Sequence, residues 1–401
     1  MGREEGVAAW RALIACSLTI IVAAGSRTSL AAFLRPIESD LHLDRQVLST
    51  AGALTVLTYG LAQPLVGALA TRFGPRRVML GGVVLTALTG FGISTATQPW
   101  QLYVFAGVVP GLAFAGASSV PATALLAGWF TRRLGLATGI ISAAIPAGQS
   151  LFVPLATALI PGLGWRQTYI LLGLLVLLIG IPVLLALVRD PPALTLAAHH
   201  VSAETRLRRP GLDVWLVGLG YFGCGFSDQF ISIHFVALAS DGGIDPLLAA
   251  GLLSLLLLIG MLGSVASGPV ADRASARYLL AGLYLLRAAS LPLLMVTGSV
   301  GALVAFAVLF GPTYIANQAP GARLIRDRYG VRAVGVLMGS VGLAHQVGGA
   351  LGVAAGGFSV AEFGGYGPAV ILVALVVFAG GVAQLAIPGM PVKKFEKLPA
   401  Q

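Results

Sequence analysis

Charge is what this chain has least of. Only 10% of its 401 residues are Asp, Glu, Lys or Arg, whereas 57% are hydrophobic. Soluble domains carry about 25% charged residues. A water-facing surface over most of the molecule is therefore excluded, and lipid is the solvent that suits its exterior. Cysteine is scarcer still. Cys16 and Cys224 both fall within apolar runs, too few for a disulfide framework or a cysteine-based metal site. The sequence also has no Gly-x-x-x-x-Gly-Lys-Ser/Thr phosphate loop, no Gly-x-Ser-x-Gly elbow and no His-Glu-x-x-His pair. Those absences argue against an ATP-driven pump and leave no catalytic constellation, so the chain reads as a non-enzyme without cofactor or metal. The net charge of +10 does not point to nucleic acid, because the basic residues sit in short clusters between apolar segments and no nucleic-acid motif accompanies them.

What is abundant is Gly (53 residues) and Pro (22). Membrane helices tolerate both: neighbouring helices re-satisfy freed backbone groups, and small residues let helices approach closely. Polar interruptions divide the chain into twelve apolar stretches of roughly 20 residues, the length that crosses a bilayer. They are 11–34, 47–70, 78–97, 102–128, 136–160 and 168–188, then 213–239, 247–271, 278–297, 301–322, 333–359 and 368–388. The first is too long for the core of a cleavable signal and reads as a span. With the N-terminus placed in the cytoplasm, 20 of the 25 Lys and Arg fall in cytoplasmic segments, three (Arg35, Arg45, Arg166) in external loops and two (Arg27, Arg287) within spans. That asymmetry predicts an integral plasma-membrane protein, of the bacterial inner-membrane kind, with both termini cytoplasmic. The expected organisation is an all-α polytopic protein with a six-helix bundle at 1–188, a cytoplasmic linker at 189–212 that holds His199 and His200, and a second bundle with a tail at 213–401.

Ionisable groups at membrane depth cost several kcal/mol unless paired or wetted, so the few present are the first functional candidates. They are Arg27, Asp228, His234, Arg287 and His345. Arg27 and Asp228 lie at similar depth in the first and seventh spans. Arg27 offers a forked donor to a carboxylate. Asp228 either neutralises Arg27, as a permanent ion pair or in the empty site, or takes up a coupling proton. His345 and His234 change charge near neutral pH and suit proton coupling; a neutral histidine bonded to a carbonyl is the structural alternative. Arg287 reads as a structural residue turned toward carbonyls or Asp228. Two arginines and two histidines against one carboxylate favour an organic anion over a cation.

The halves repeat. Gly67 to Arg76 aligns with Gly268 to Arg277 at a displacement of 201 residues, and Arg132, Gly135 and Gly139 recur as Arg332, Gly335 and Gly339. Gly67, Leu69, Ala70, Arg72, Gly74, Arg76 and Arg77 resemble the loop signature between the second and third helices of the major facilitator superfamily, with Thr71 where the family has Asp; the second copy keeps the acid as Asp272. Phe33 to Pro36, Trp129-Phe130 with Arg132-Arg133, Gly164 to Arg166, Tyr284 to Arg287, and His345-Gln346 with Gly348 and Gly349 are similar to bacterial relatives of monocarboxylate and oxalate–formate carriers. Gly260 and Ser264 stand where such carriers have an Asp-x-x-x-Arg pair, so that pair's role does not transfer.

The resemblance implies the major facilitator fold and a secondary active transporter that works by alternating access of its two halves. It implies conformational gating by Gly67, Arg72, Arg76, Asp272 and Arg273. It also implies a central cavity walled by Tyr59, Gln63, Ser118, Ser119, Gln149, Tyr314, Asn317 and Gln318. The expected ligand contacts are Arg27, Tyr59, Gln149, Tyr314, Asn317 and His345, with Asp228 and His234 in proton coupling. The expected partners are a small monocarboxylate-like anion, protons and the bilayer, with no nucleic acid and a monomer sufficient. The alternative is a proton-driven exporter of drugs or amphiphilic metabolites.

Overall fold

The computed structural model describes residues 6–130, 133–188, 211–296 and 298–388. The linker with His199 and His200, Arg132, and the tail with its three lysines lie outside the described residues, as do the side chains of Asp272 and Arg332. Among the described residues the chain is helical throughout. Helices α1 (Val7–Thr28), α2 (Leu30–Leu41), α3 (Arg45–Phe73) and α4 (Pro75–Ser94) come first, followed by α5 (Pro99–Leu102), α6 (Val109–Gly116), α7 (Ser119–Ala127) and α8 (Leu134–Leu187). After the linker come α9 (Leu212–Asp241), α10 (Pro246–Arg273), α11 (Ala276–Ser290), α12 (Val300–Phe310), α13 (Gln318–Tyr329), α14 (Val331–Phe363) and α15 (Gly367–Leu385).

Among the described residues, eleven continuous segments are long and apolar enough to cross a membrane. One of them, α8, has 54 residues, about 80 Å at 1.5 Å per residue, far more than the roughly 30 Å of a hydrocarbon core. It turns at Gly164, where φ is 76° and ψ 162°, a backbone conformation open to glycine. Divided there, it crosses twice, and the expected twelve passes result. Lipid-facing positions are apolar: Leu178, Trp215, Leu375 and Phe378 are all exposed.

Two spans that the sequence pattern reads as continuous are broken. The fourth is α5, a wide-turn π segment Tyr103–Val108, α6, a break at Ala117 and Ser118, then α7. The tenth is α12, a 3₁₀ turn Gly311–Thr313, then non-helical backbone through Ile315 (φ 58°) before α13. Pro312 supplies no N–H to a helix ladder, and broken backbone at membrane depth survives only where other groups satisfy it. Here the Arg287 guanidinium donates to the Thr313 carbonyl and the Tyr221 hydroxyl to that of Asn317 (2.9 Å).

The helices before the linker pack around α1, α4 and α8, and those after it around α9, α11, α14 and α15. The duplicated loops do the same job in each set. Arg76 donates to the carbonyls of Leu184 (3.3 Å) and Leu185 (3.0 Å), and Arg277 to that of Ile387 (2.7 Å). In each case a cation satisfies orphan carbonyls at a helix C-terminus. These arginines share one end of the molecule, the basic end, with Arg72, Arg77, Arg273, Arg323, Arg326 and Arg328. Within the second set, α9 and α14 touch backbone to backbone. A Cβ at Gly225 would run into the His345 carbonyl, and one at Gly348 into that of Phe222.

Candidate functional site

A chamber of about 1280 Å³ lies between the two sets of helices. Its deep end holds Arg27, Tyr59, Gln149, Asp228, Tyr314, Asn317 and His345, and its walls run past Gln63, Ser119, Ser142, Ser264, Gln318 and Met338 toward the basic end. All six residues expected to meet ligand therefore share one cavity with Asp228. Gly260 and Ser264, at the positions of the missing acid–arginine pair, line it too. Ser118 does not. It is fully buried, gives its hydroxyl hydrogen to the Ala115 carbonyl (2.8 Å) and accepts from the Val120 amide as the cap of α7.

Arg27 projects from the last turn of α1. Its guanidinium carbon lies 4.6 Å from the centre of the Phe114 ring and 5.5 Å from that of Tyr59. Among the described residues it has no carboxylate partner, and its buried Nε has no hydrogen-bond partner. The two aromatic faces attract a cation, by up to about 2 kcal/mol when desolvated, yet leave the charge uncompensated.

Asp228 stands 201 residues after Arg27, the displacement of the duplicated loops, so a cation and an acid occupy equivalent positions of the repeat. They do not pair. The expectation of an Arg27–Asp228 ion pair is corrected by Arg287, whose Nη1 donates to Asp228 Oδ1 at 2.7 Å. Arg287 has no exposure and also donates to Thr313 Oγ1 (3.0 Å), Ser227 Oγ (3.1 Å), Cys224 Sγ (3.1 Å), and the carbonyls of Cys224 (3.3 Å) and Thr313. Position and reach decide the outcome: Arg287 sits behind α9, while Arg27 is held by rings on its own side. The repeat equivalent of Arg287 is Thr86, beside a cavity of about 20 Å³ next to Arg27.

The other oxygen of Asp228 faces the chamber side. Cys224 Sγ donates to Oδ2 (3.2 Å), and His345 Nε2 lies 3.5 Å from it. Cys224, Asp228 and His345 thus bring three possible metal ligands within 4.8 Å of one another. The Arg287 guanidinium stands among them and would repel a divalent ion. Across the chamber's closed end, the Tyr314 hydroxyl donates to Gln149 Oε1 (3.3 Å) and meets Ser232 Oγ (3.3 Å), while Ser254 Oγ donates to the Ser150 carbonyl (2.7 Å).

His234 departs from its expected place. It is buried away from the chamber between the Val353 carbonyl and Tyr366. The expected gating residues with described side chains, Arg72, Arg76 and Arg273, are at the basic end. Arg72 stacks on its neighbour Phe73 (5.1 Å) and Arg76 caps α8. The side chain of Asp272 lies outside the described residues. Sequence reasoning missed Phe114, which no polarity search detects, and the burial of Arg45 at the opposite end, where it passed for a loop charge. Gln229 and Gln346 also line the chamber.

The sequence pattern of the Major Facilitator Superfamily matches residues 16–216 and again 217–400. The chain belongs to the Major Facilitator Superfamily. As a superfamily member it is a secondary transporter and not an enzyme. It is 27% identical over 371 residues to the MFS-type transporter YcxA of Bacillus subtilis (strain 168), covering 88% of each chain. It is 25% identical over 416 residues to the oxalate:formate antiporter of Oxalobacter formigenes, covering 97% of this chain and 94% of the relative. Against monocarboxylate transporter 13 of Bos taurus the identity is 28% over 348 residues, with 85% and 80% covered. Among solved structures, a bacterial homologue of the human lysosomal transporter Spinster, inward-facing and unoccupied, superposes with a TM-score of 0.70 at 16% identity, covering 96% of this chain and 95% of that one. That likeness is one of fold.

Proposed function

We propose that this superfamily member carries a small organic monoanion together with a proton, by alternating access of the bundle at 1–188 against the bundle at 213–401 about the linker 189–212. One observation carries the reading: in the chamber Arg27 has no carboxylate partner, whereas Asp228, the acid facing it, is neutralised by Arg287. The chamber therefore presents a net positive charge, which attracts an anion and repels a cation. Arg27 receives the carboxylate in forked geometry, with Gln149, Tyr314 and Asn317 as neutral donors. Monocarboxylate and oxalate–formate carriers among the relatives agree in substrate sign.

Asp228 is the proton acceptor in this scheme. His345, which lines the chamber 3.5 Å from Oδ2, passes the proton from the chamber. Protonation weakens the hold of Asp228 on Arg287 and raises the chamber's positive charge, so that anion and proton bind together. The basic end faces the cytoplasm of a bacterial inner membrane, and a monomer suffices.

Counterflow of radiolabelled small carboxylates into proteoliposomes, with and without a pH gradient, tests this. Uptake should be saturable, should rise with an inward proton gradient, and should be abolished in Arg27→Ala. Intact transport by Arg27→Ala would refute the anion site. The second reading, an exporter of amphiphiles, draws on the apolar residues Leu136, Ile140, Met261 and Val265 along the chamber walls. It predicts lipophilic substrates that bind independently of Arg27.

A further inference from the structure

Arg45 opens α3 and is buried at the end opposite the basic turns. It donates to Glu38 Oε2 from Nε (3.1 Å) and Nη2 (2.8 Å), pairs with Asp241 through Nη1, and donates from Nη1 to the Tyr366 hydroxyl (3.3 Å). Arg35 adds a contact to Asp241 (3.3 Å). Glu38, Arg35 and Arg45 precede the linker, and Asp241 and Tyr366 follow it. The cluster thus joins the two sets of helices beyond the chamber's deep end, with two cations balanced by two carboxylates.

Behind Tyr366 lies His234, with no exposure. Its Nε2 is 2.9 Å from the Val353 carbonyl. A carbonyl only accepts, so Nε2 carries the hydrogen. Nδ1, 3.0 Å from the Tyr366 hydroxyl, is then a bare lone pair in the neutral ring and accepts from that hydroxyl. The hydrogen bonds run one way, from Arg45 to Tyr366 to His234 to Val353. A second ring proton would point at the Tyr366 oxygen, which already accepts from Arg45, and would turn the chain against itself. It would also add an uncompensated charge, on a fully buried ring, to a cluster already balanced.

The charged and titratable groups around His234 are Tyr366, at the cap of α15, and Arg45 from α3. Beyond Arg45 lie Arg35 and Glu38 from α2 and Asp241 at the end of α9. From α14 come only the Val353 carbonyl and Gly356, where a Cβ would overlap the imidazole. Other titratable groups share this end: Asp40 pairs with Arg166 inside the first set, His42 and Asp44 are exposed at the turn before α3, Asp245 caps α10, and Glu362 is exposed near the end of α14.

We propose that His234 is a second proton site, separate from Asp228, neutral while this end is closed and protonated when it opens. Acid therefore favours the open form, and closure releases a proton. The proposal rests on alternating access but not on the identity of the solute. Spin labels on Ser39→Cys and Leu247→Cys, both exposed positions on opposite sides of the cluster, report the separation by pulsed electron resonance. The native cysteines are buried and stay unlabelled. Between pH 8 and pH 5 the open-to-closed ratio should rise, by up to about tenfold per pH unit below neutrality. His234→Gln, which keeps a donor and an acceptor without titrating, should flatten it. His42→Gln and Glu362→Gln, both exposed at this end, should retain it, and His234→Asn is the second variant should His234→Gln fail to fold. No response in the unmutated chain, a response that persists in the folded His234 variant, or its loss in His42→Gln or Glu362→Gln would each overturn the proposal. Failure of carboxylate flux with the distance response intact would count against the anion reading alone.

Discussion

Replacing Arg287 by Met is the most informative single change, because the structure says which groups lose a partner. Asp228 Oδ1 is left without a donor, and the carbonyls of Thr313 and Cys224 lose theirs. Asp228 Oδ2 keeps the Cys224 thiol and its place beside His345. Removing one member of a buried ion pair costs about 3–5 kcal/mol, since the other charge stays buried alone. The reverse change, Asp228→Asn, is milder, at about 1–3 kcal/mol. Arg287 then still has Thr313, Ser227 and the two carbonyls as acceptors, so its charge remains solvated by dipoles. The double variant should fall well short of the sum, because neither orphan charge remains. Thermal and denaturant midpoints of the four proteins in one detergent give the cycle. If the single effects add within about 0.5 kcal/mol, or if Asp228→Asn is the more damaging, Asp228 and Arg287 are not the coupled pair described.

Arg27→Lys keeps the charge but loses the fork and the stacking on Phe114, and should raise the KM for a carboxylate about tenfold or more while altering stability little; an unchanged KM in flux assays would contradict the site. Gly348→Ala places a methyl group against the Phe222 carbonyl and should destabilise by about 1–3 kcal/mol, whereas Gly339→Ala, with open space around it, should be neutral in the same melting assay. Ser264→Cys should react with a membrane-impermeant thiol reagent added from the side bearing Arg72 and Arg273, and Ser49→Cys, fully buried near the opposite end, should not. Equal labelling from both faces would refute a chamber that opens toward the basic end.

The helical passes and the duplication were legible in the sequence because each is a local or periodic property. Twenty apolar residues span a bilayer in any context, and a repeated loop such as Gly67–Arg76 and Gly268–Arg277 keeps its spacing without reference to packing. Depth was legible too: counting residues from the span edges put Arg27 and Asp228 at one level, and the chamber collects both, together with His345. Pairing was not. Which cation meets Asp228 depends on the rotation and approach of α9, α11 and α12, which glycine contacts and the break at Gly311–Thr313 set. A buried charge chooses among partners by geometry within a few ångströms, information that no spacing along the chain contains. For the same reason His234, equal in type to His345, left the chamber for the Tyr366–Arg45 cluster. Its helix face, not its depth, decided which neighbours it met.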